Sequence, residues 1–533
     1  MSKLKHIQSL LLALLSVALL AAGCQQEKQE TLRVFLTVGA NEPAIITLAQ
    51  PVTVRELLAQ ENIELGEDDR VEPSENVTVT DGLNVTVVRV VRDVECEEVS
   101  IPFSQQVLLN EAMAPNETRL AQEGREGIRQ TCYQVEYVNG VEDLSKRTLV
   151  RDVELQEAVD EIVWQGVSPP PPVAIEGTLA YISNGRAWMI RGNSSTKKQL
   201  TTESGLDGRV FDLSPDGRQL VYTRLVEDDE QYFNSLWVIM NTREREPEEH
   251  ELIPDNVLYG EWVPEADQMI AYSTSDMRPE PPGWEAHNNL WWIQLDADAE
   301  ILQAIEVLGE SSGGLFGWWG TTFSWAPDGL QVAWARADGV GMVNLDARTF
   351  EPLFEFSIYN TYRDWAWVPT LSWSPGSDLL LTTVHAPSLS GDNPEDSPIF
   401  DVAVASPDGR LVIDGLVQSA GLWAAPQFSP IVTRSDGNQY GYIAYLQARG
   451  AGATGLTSSA YDLVVIDRDG SNPRVLFPES SSDLGLQPQD VAWSPDARHI
   501  AFVYQSTLWI VEVETGIAQQ ITADDASDPC WVE

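Results

Sequence analysis

From about Glu176 onward the chain repeats one unit. An apolar strand ends in aromatic, small residue, proline; a turn follows, then a second apolar strand. The copies read VFDLSPDGRQLVYTR, YGEWVPEADQMIAYSTS, TFSWAPDGLQVAWAR, TLSWSPGSDLLLTTVH, APQFSP…YGYIAYLQ and DVAWSPDARHIAFVYQ. Their marker prolines are Pro215, Pro264, Pro327, Pro375, Pro430 and Pro495. Proline fixes φ and glycine accepts positive φ, so Pro-Asp-Gly turns the chain sharply. Short apolar runs on either side read as strands buried on both faces. A third strand follows most copies (SLWVIM, NLWWIQL, VGMVNL, YDLVVID, TLWIVEV), then a shorter fourth such as PRVLF or AQQIT. Four-strand units at a spacing of roughly 40–65 residues predict a β-propeller.

The blade count follows from closure. Ahead of the first copy, GTLAYISNGRAWMIRG…KKQLTT supplies second, third and fourth strands without an inner one. At the far end, DPCWVE aligns under YGEWVP, TFSWAP, TLSWSP and DVAWSP, so Trp531 falls where Trp262, Trp325, Trp373 and Trp493 fall. The expectation is seven blades over 176–533, closed by the C-terminal strand, with Cys530 a small buried hydrophobe in it. The phrases LVVIDRDGSNPRVLF and LWIVEVETGIAQQIT resemble the WD-like repeats of TolB-type propellers. That resemblance implies the fold and a scaffold role in a complex, and is nearly silent on chemistry.

Two small β-rich modules precede the propeller. Residues 31–92 carry alternating strands such as TLRVFLTV, and TVRELLAQENI sets Val54, Leu57, Leu58 and Ile63 toward one face of a short helix. TVRELLAQENIELGEDDRV…DGLNVTVVRV resembles the ubiquitin-like domain found beside five-glycine domains in resuscitation-promoting factors. Residues 93–167 resemble the five-glycine (G5) domain through SIPF, EGREG (Gly124, Gly127), YVNG (Gly140) and VDEIVWQG (Gly166). Asn116 stands where the family has its first glycine; asparagine is the next best residue for a positive φ. The resemblance implies a cell-surface module, either a binder of N-acetylglucosamine-containing polymers such as peptidoglycan or a plain stalk. A Cys96–Cys132 disulfide is open to the chain if their strands are neighbours. SPPPPV within 168–175 reads as a stiff polyproline linker.

The first residues read as an address. MSKLKH is basic, QSLLLALLSVALLAA is apolar, and Gly23 and Cys24 follow. LAAGC resembles a bacterial lipobox, with Ala21 where leucine is usual. The expectation is a leader over 1–23, lipidation at Cys24 and a spacer over 24–30; the alternatives are an ordinary signal peptide or one membrane helix. A lipid anchor puts the protein at the membrane on its extracytoplasmic side.

Composition narrows the partners. There are 81 Asp+Glu against 33 Lys+Arg, a net charge of −48. Such a surface repels nucleic acid and anionic headgroups. No CxxC, HExxH or P-loop is present and no GxSxG nucleophile elbow is read, so no metal, cofactor or nucleophile is assigned. DRDGSN at 467–472 reads as a turn, since it lacks the later glutamate of a calcium loop. His250, His287, His385 and His499 lie on different repeats and read as loop or surface residues.

Aromatics mark the candidate site. GGLFGWWG, YRDWAWVP and AGLWAAP deliver the chain into successive inner strands. Trp318, Trp319, Trp365, Trp367 and Trp423, with Arg363 and Asp364, are therefore expected around one channel mouth, suited to sugars or peptide side chains. The alternative is that they wedge between blades as core. The sequence thus reads as an exported, non-enzymatic envelope protein binding wall glycan and envelope proteins. The alternative is a glycan-acting hydrolase or lyase, which needs carboxylates converging in the channel.

Overall fold

The computed structural model describes residues 31–111, 113–226, 229, 231–388, 393–433, 439–450 and 461–533. The leader, Cys24 and the spacer to residue 30 lie outside them. No helix among the described residues is long and apolar enough to cross a membrane. The described elements are nearly all strands, and they form two compact units. One holds the residues up to Gln106 with Ala121–Ile162; the other holds Val107–Leu120 and Val163–Glu533.

In the first unit, a four-stranded sheet orders Ala44–Leu48, Leu32–Val38, Asn84–Val88 and Arg70–Glu72. The helix α1, Val54–Gln60, starts at Thr53, whose hydroxyl accepts from the Glu56 N–H while Glu56 answers the Thr53 N–H. It buries Val54, Leu57 and Leu58 against Val34, Leu36, Val85 and Val87. Ile63 lies beyond the helix and packs on the same core.

Strand Val90–Ile101 runs on from this module and pairs with Gly127–Val138, which pairs with Thr148–Gln156. Cys96 stands directly opposite Cys132, and the two are joined by a disulfide with Cα atoms 4.0 Å apart. Arg92 reaches both Asp68 and Glu136, bracing the two modules at their junction. A further sheet orders Gln105–Asn110, Glu161–Gly166 and Thr118–Gln122. Asn116 adopts φ 65°, and its N–H donates to the Gly166 carbonyl at 2.8 Å. A Cβ on Gly166 would sit 2.0 Å from the Ala114 carbonyl oxygen, so only glycine allows this approach.

Within the second unit, the described residues from Ala174 form seven sheets of four strands joined in sequence; the third carries the extra short strand Trp284–Ala286, and a separate two-stranded ribbon, Val432–Thr433 with Gln439–Tyr440, falls within the sixth. The first of the seven is completed from the far end of the sequence. Strand Ser527–Val532 pairs antiparallel with Ala174–Ser183, Trp531 opposite Leu179 and Cys530 opposite Ala180. The equivalent strands of all seven sheets contribute residues to one cavity, which gives the region its propeller-like form. Apolar clusters fill the spaces between consecutive sheets, such as Val210, Leu236, Trp262 and Ile270.

The repeated motif carries a second, polar register. The residue just before the aromatic position reaches the next sheet. Asp212 accepts from the Trp262 N–H at 2.9 Å, Glu261 from the Trp325 N–H at 3.3 Å and Ser372 from the Phe428 N–H at 3.0 Å. A side chain thereby satisfies an inner-strand donor that no neighbouring strand reaches.

Candidate functional site

The central cavity measures about 1150 Å³. At the motif position just described, its wall presents Asp212, Glu261, Gln427, Ala492 and Cys530. Burial pushes the Asp212 carboxyl up to about 7, against the pull of the Trp262 N–H. Burial, then the adjacent Asp212 charge, pushes Glu261 up to about 8. Two acids so placed share protons instead of both ionising. The Tyr259 hydroxyl donates to Glu261 at 2.8 Å and favours its charged form. Burial, then the charge on Asp212, pushes the Cys530 thiol up to about 12, which keeps it an unreactive thiol. Asp490 and Asp528 also line the cavity; both are raised by burial first, and Asp490 further by Asp528. Arg209 is the cation on the wall, its guanidinium 4.4 Å from the Trp284 ring centroid and 5.5 Å from that of Phe233.

Ring contacts join Trp318 to Trp319 and Trp365 to Trp423, and none of the five entry-loop tryptophans is among the residues that line the central cavity. Trp318 meets Trp319 edge-on, and Trp319 leans on Trp284 at 5.1 Å. Trp365 stacks on Trp423 with centroids 5.7 Å apart, both half-buried. Trp367 is 1% exposed, and its indole N–H donates to the Leu422 carbonyl at 2.9 Å. It is therefore an anchor between loops, as the core alternative holds for it. Arg363 and Asp364 are exposed beside the Trp365–Trp423 stack.

His287 sits in a loop, as read, whereas His385 departs from its reading as a loop or surface group. His385 is 4% exposed inside strand Leu380–Ala386. His287 lies 3.0 Å from the Thr274 hydroxyl and 3.3 Å from Asp276, beside a cavity of about 330 Å³. At 467–472, Asn472 and Ser471 turn inward on Asp467, which uses the carboxylate as a turn acceptor. Among the described residues, no group of three or more His, Cys, Asp or Glu is arranged to hold a metal.

The carboxyl pair is the feature sequence reading missed. Its signal was faint: the motif position before the aromatic runs Asp, Glu, Ser, Ser, Gln, Ala, Cys, and only its first two members are acidic. Such a position looks like noise until the sheets close around a common cavity.

The fold and the cavity define a G5-bearing chain with a ubiquitin-like module and a propeller-like region. Family models agree for the two modules: the G5 domain matches residues 92–168 and the G5-linked ubiquitin-like domain residues 34–76. The dipeptidyl peptidase IV N-terminal region matches residues 457–530. A search of curated proteins finds no match. Among solved structures, the G5 domain of IgA1 protease is similar at 23% identity, covering 15% of this chain and 93% of its own, TM-score 0.13. The Pseudomonas aeruginosa periplasmic gluconolactonase PpgL is similar at 15% identity, covering 67% and 99%, TM-score 0.41. TolB from Acinetobacter baumannii is similar at 11% identity, covering 83% and 100%, TM-score 0.34.

Proposed function

We propose that this is an exported, lipid-anchored cell-envelope protein that acts by binding and not by catalysis. In this reading Cys24 carries the lipid, and the protein stands on the extracytoplasmic side of the membrane. The G5 domain contacts wall glycan containing N-acetylglucosamine, and the propeller holds a protein or peptide of the envelope. The observation that carries the reading is the G5 domain at 92–168, a module consistent with glycan binding. For the propeller, the support is the cavity of about 1150 Å³, whose wall offers the carboxyls of Asp212, Glu261, Asp490 and Asp528 as hydrogen-bonding groups for a peptide segment. Cosedimentation of the mature chain with purified peptidoglycan tests the glycan half. Retention that a soluble N-acetylglucosamine polymer competes away supports it; a chain that stays in the supernatant refutes it.

A glycan-acting enzyme is the second reading, and the Asp212–Glu261 pair is the observation that favours it. General acid catalysis needs a carboxyl raised toward neutrality, which these groups provide. Against it, both carboxyls accept inner-strand N–H groups and so already serve the fold. Glycan cleavage by the native chain that Asp212→Asn and Glu261→Gln both abolish would establish this reading; no turnover would remove it.

A further inference from the structure

His385 has two hydrogen-bond partners of one kind. Its Nδ1 lies 2.8 Å from the Ser357 carbonyl oxygen and its Nε2 2.8 Å from the Ser397 carbonyl oxygen. A backbone carbonyl can only accept, and a neutral imidazole has a single N–H to give. Both bonds are made together only when both ring nitrogens carry protons. Flipping the ring would set C–H groups against the carbonyls and lose both. The neutral ring would aim a lone pair at one oxygen in a site with little water to intervene, an unfavourable contact.

The surroundings suit a buried cation. The Phe400 ring stacks on His385 with centroids 4.8 Å apart and planes at 19°. Tyr359 and Trp367 complete the aromatic surroundings at steep angles, with centroids 5.5 and 6.4 Å away. Aromatic faces attract a positive ring. The carboxyls of Glu355, Asp401 and Asp414, from the strands on either side, border the same groove of about 790 Å³. Glu395 and Asp396 stand in the turn Pro394–Asp396 just before Ser397. Among the described residues, His385 makes no ion pair with any of them, so the two carbonyls are its direct partners.

The position gives this charge a consequence. Ser357 begins the loop that carries Trp365 and Trp367, and Tyr362 in the same loop donates to Asp396 at 2.6 Å. Trp367 ties that loop to Leu422, next to Trp423. We propose that His385 is a proton-dependent clamp: as an imidazolium it binds the Ser357 loop to the Ser397 turn, and its deprotonation loosens the Trp365–Trp423 stack. The clamp does not depend on what the propeller binds.

Two measurements on the full mature chain test it. The first is nitrogen NMR of histidine-labelled protein, with His385 assigned by elimination using His250→Gln, His287→Gln and His499→Gln. The second is acrylamide quenching of tryptophan emission against pH, with the Trp365 part read as the difference from Trp365→Phe. Two protonated nitrogens on His385 while Trp365 is protected, lost together with a several-fold rise in Trp365 quenching as pH increases, is the expected result. In His385→Gln the quenching should no longer depend on pH. A single N–H on His385 while Trp365 remains protected overturns the clamp, as does an unchanged pH response in His385→Gln. Should that variant fail to fold, the nitrogen signals of the unsubstituted chain still decide the matter.

Discussion

The indole N–H of Trp531, the third-last residue of the sequence, donates to the backbone carbonyl of Glu176 at 2.7 Å. The two residues belong to the strands that join the ends of the propeller-like region. Trp531 is 8% exposed and packs in one cluster with Leu179, Ile190, Ala501 and Ile510. Its side chain fastens the strand that completes the first sheet.

Trp531→Ala should therefore destabilise this region by about 3–5 kcal/mol, the usual result of deleting a buried large aromatic. Removing residues 529–533 should do more, because strand Ala174–Ser183 would lose its partner and offer a row of free backbone groups for aggregation. Thermal unfolding followed by light scattering separates the two effects. An unchanged midpoint after the deletion would refute closure by this strand.

The disulfide should matter through the unfolded chain. Cys96 and Cys132 are separated by 36 residues, and tying such a loop contributes about 2–4 kcal/mol. Cys96→Ser with Cys132→Ser should raise amide exchange along Val90–Ile101 and Gly127–Val138 while the propeller-like region keeps its protection. Equal exchange with and without the bridge would show that strand pairing alone holds these segments.

Asn116 provides a test of the turn that stands where the G5 family has a glycine. At φ 65° asparagine is tolerated and a β-branched residue is strained. Asn116→Val should cost about 1–2 kcal/mol and Asn116→Gly should be close to neutral, by the left-handed backbone penalty. Chemical denaturation reads both, and a neutral valine variant would contradict the assigned conformation.

The buried acids predict how stability responds to pH. Asp212 and Glu261 have folded values raised to about 7 and about 8, above those of ordinary carboxyls. The folded state therefore holds protons that the unfolded state releases. Their contribution is complete below the ordinary carboxyl range and is lost as pH rises through 7 to 8. Asp212→Asn and Glu261→Gln should each flatten that decline and raise the midpoint at alkaline pH. Asp69 has the opposite sign. Burial alone would raise it, but N–H groups of Gly66 and Val90 and the Arg89 guanidinium hold it below the usual carboxylate range. Its contribution is present above the ordinary value and is lost in acid, so Asp69→Asn should remove part of the first unit's acid sensitivity. Melting curves from acid to alkaline pH check both signs.

Much of the fold was legible because it rests on local rules. The proline turns, strand alternation and the alignment of DPCWVE with its counterparts lead to the pairing of Trp531 with Leu179. Helix α1 was legible from the spacing of Val54, Leu57 and Leu58. The site was far less so. Sequence tells which loops enter inner strands, but not how far from the axis a long side chain settles. Trp365 and Trp423 thus found each other, while Trp367 turned into the core. The burial of His385 is not legible either, because its two carbonyl partners, Ser357 and Ser397, come from loops 28 and 12 residues away. The Asp212–Glu261 pair needs two repeats brought side by side, which no single repeat reveals.

The central claim is that the chain acts by binding glycan through its G5 domain. Methyl NMR of the mature protein titrated with a soluble N-acetylglucosamine oligomer tests this most directly, because the domain exposes Val94, Val99, Leu144, Leu149 and Val150 as reporters. Saturable shifts confined to methyls of residues 92–168 are the predicted result. A spectrum that stays unchanged at saturating oligomer, or shifts that fall only in the propeller-like region, would contradict it.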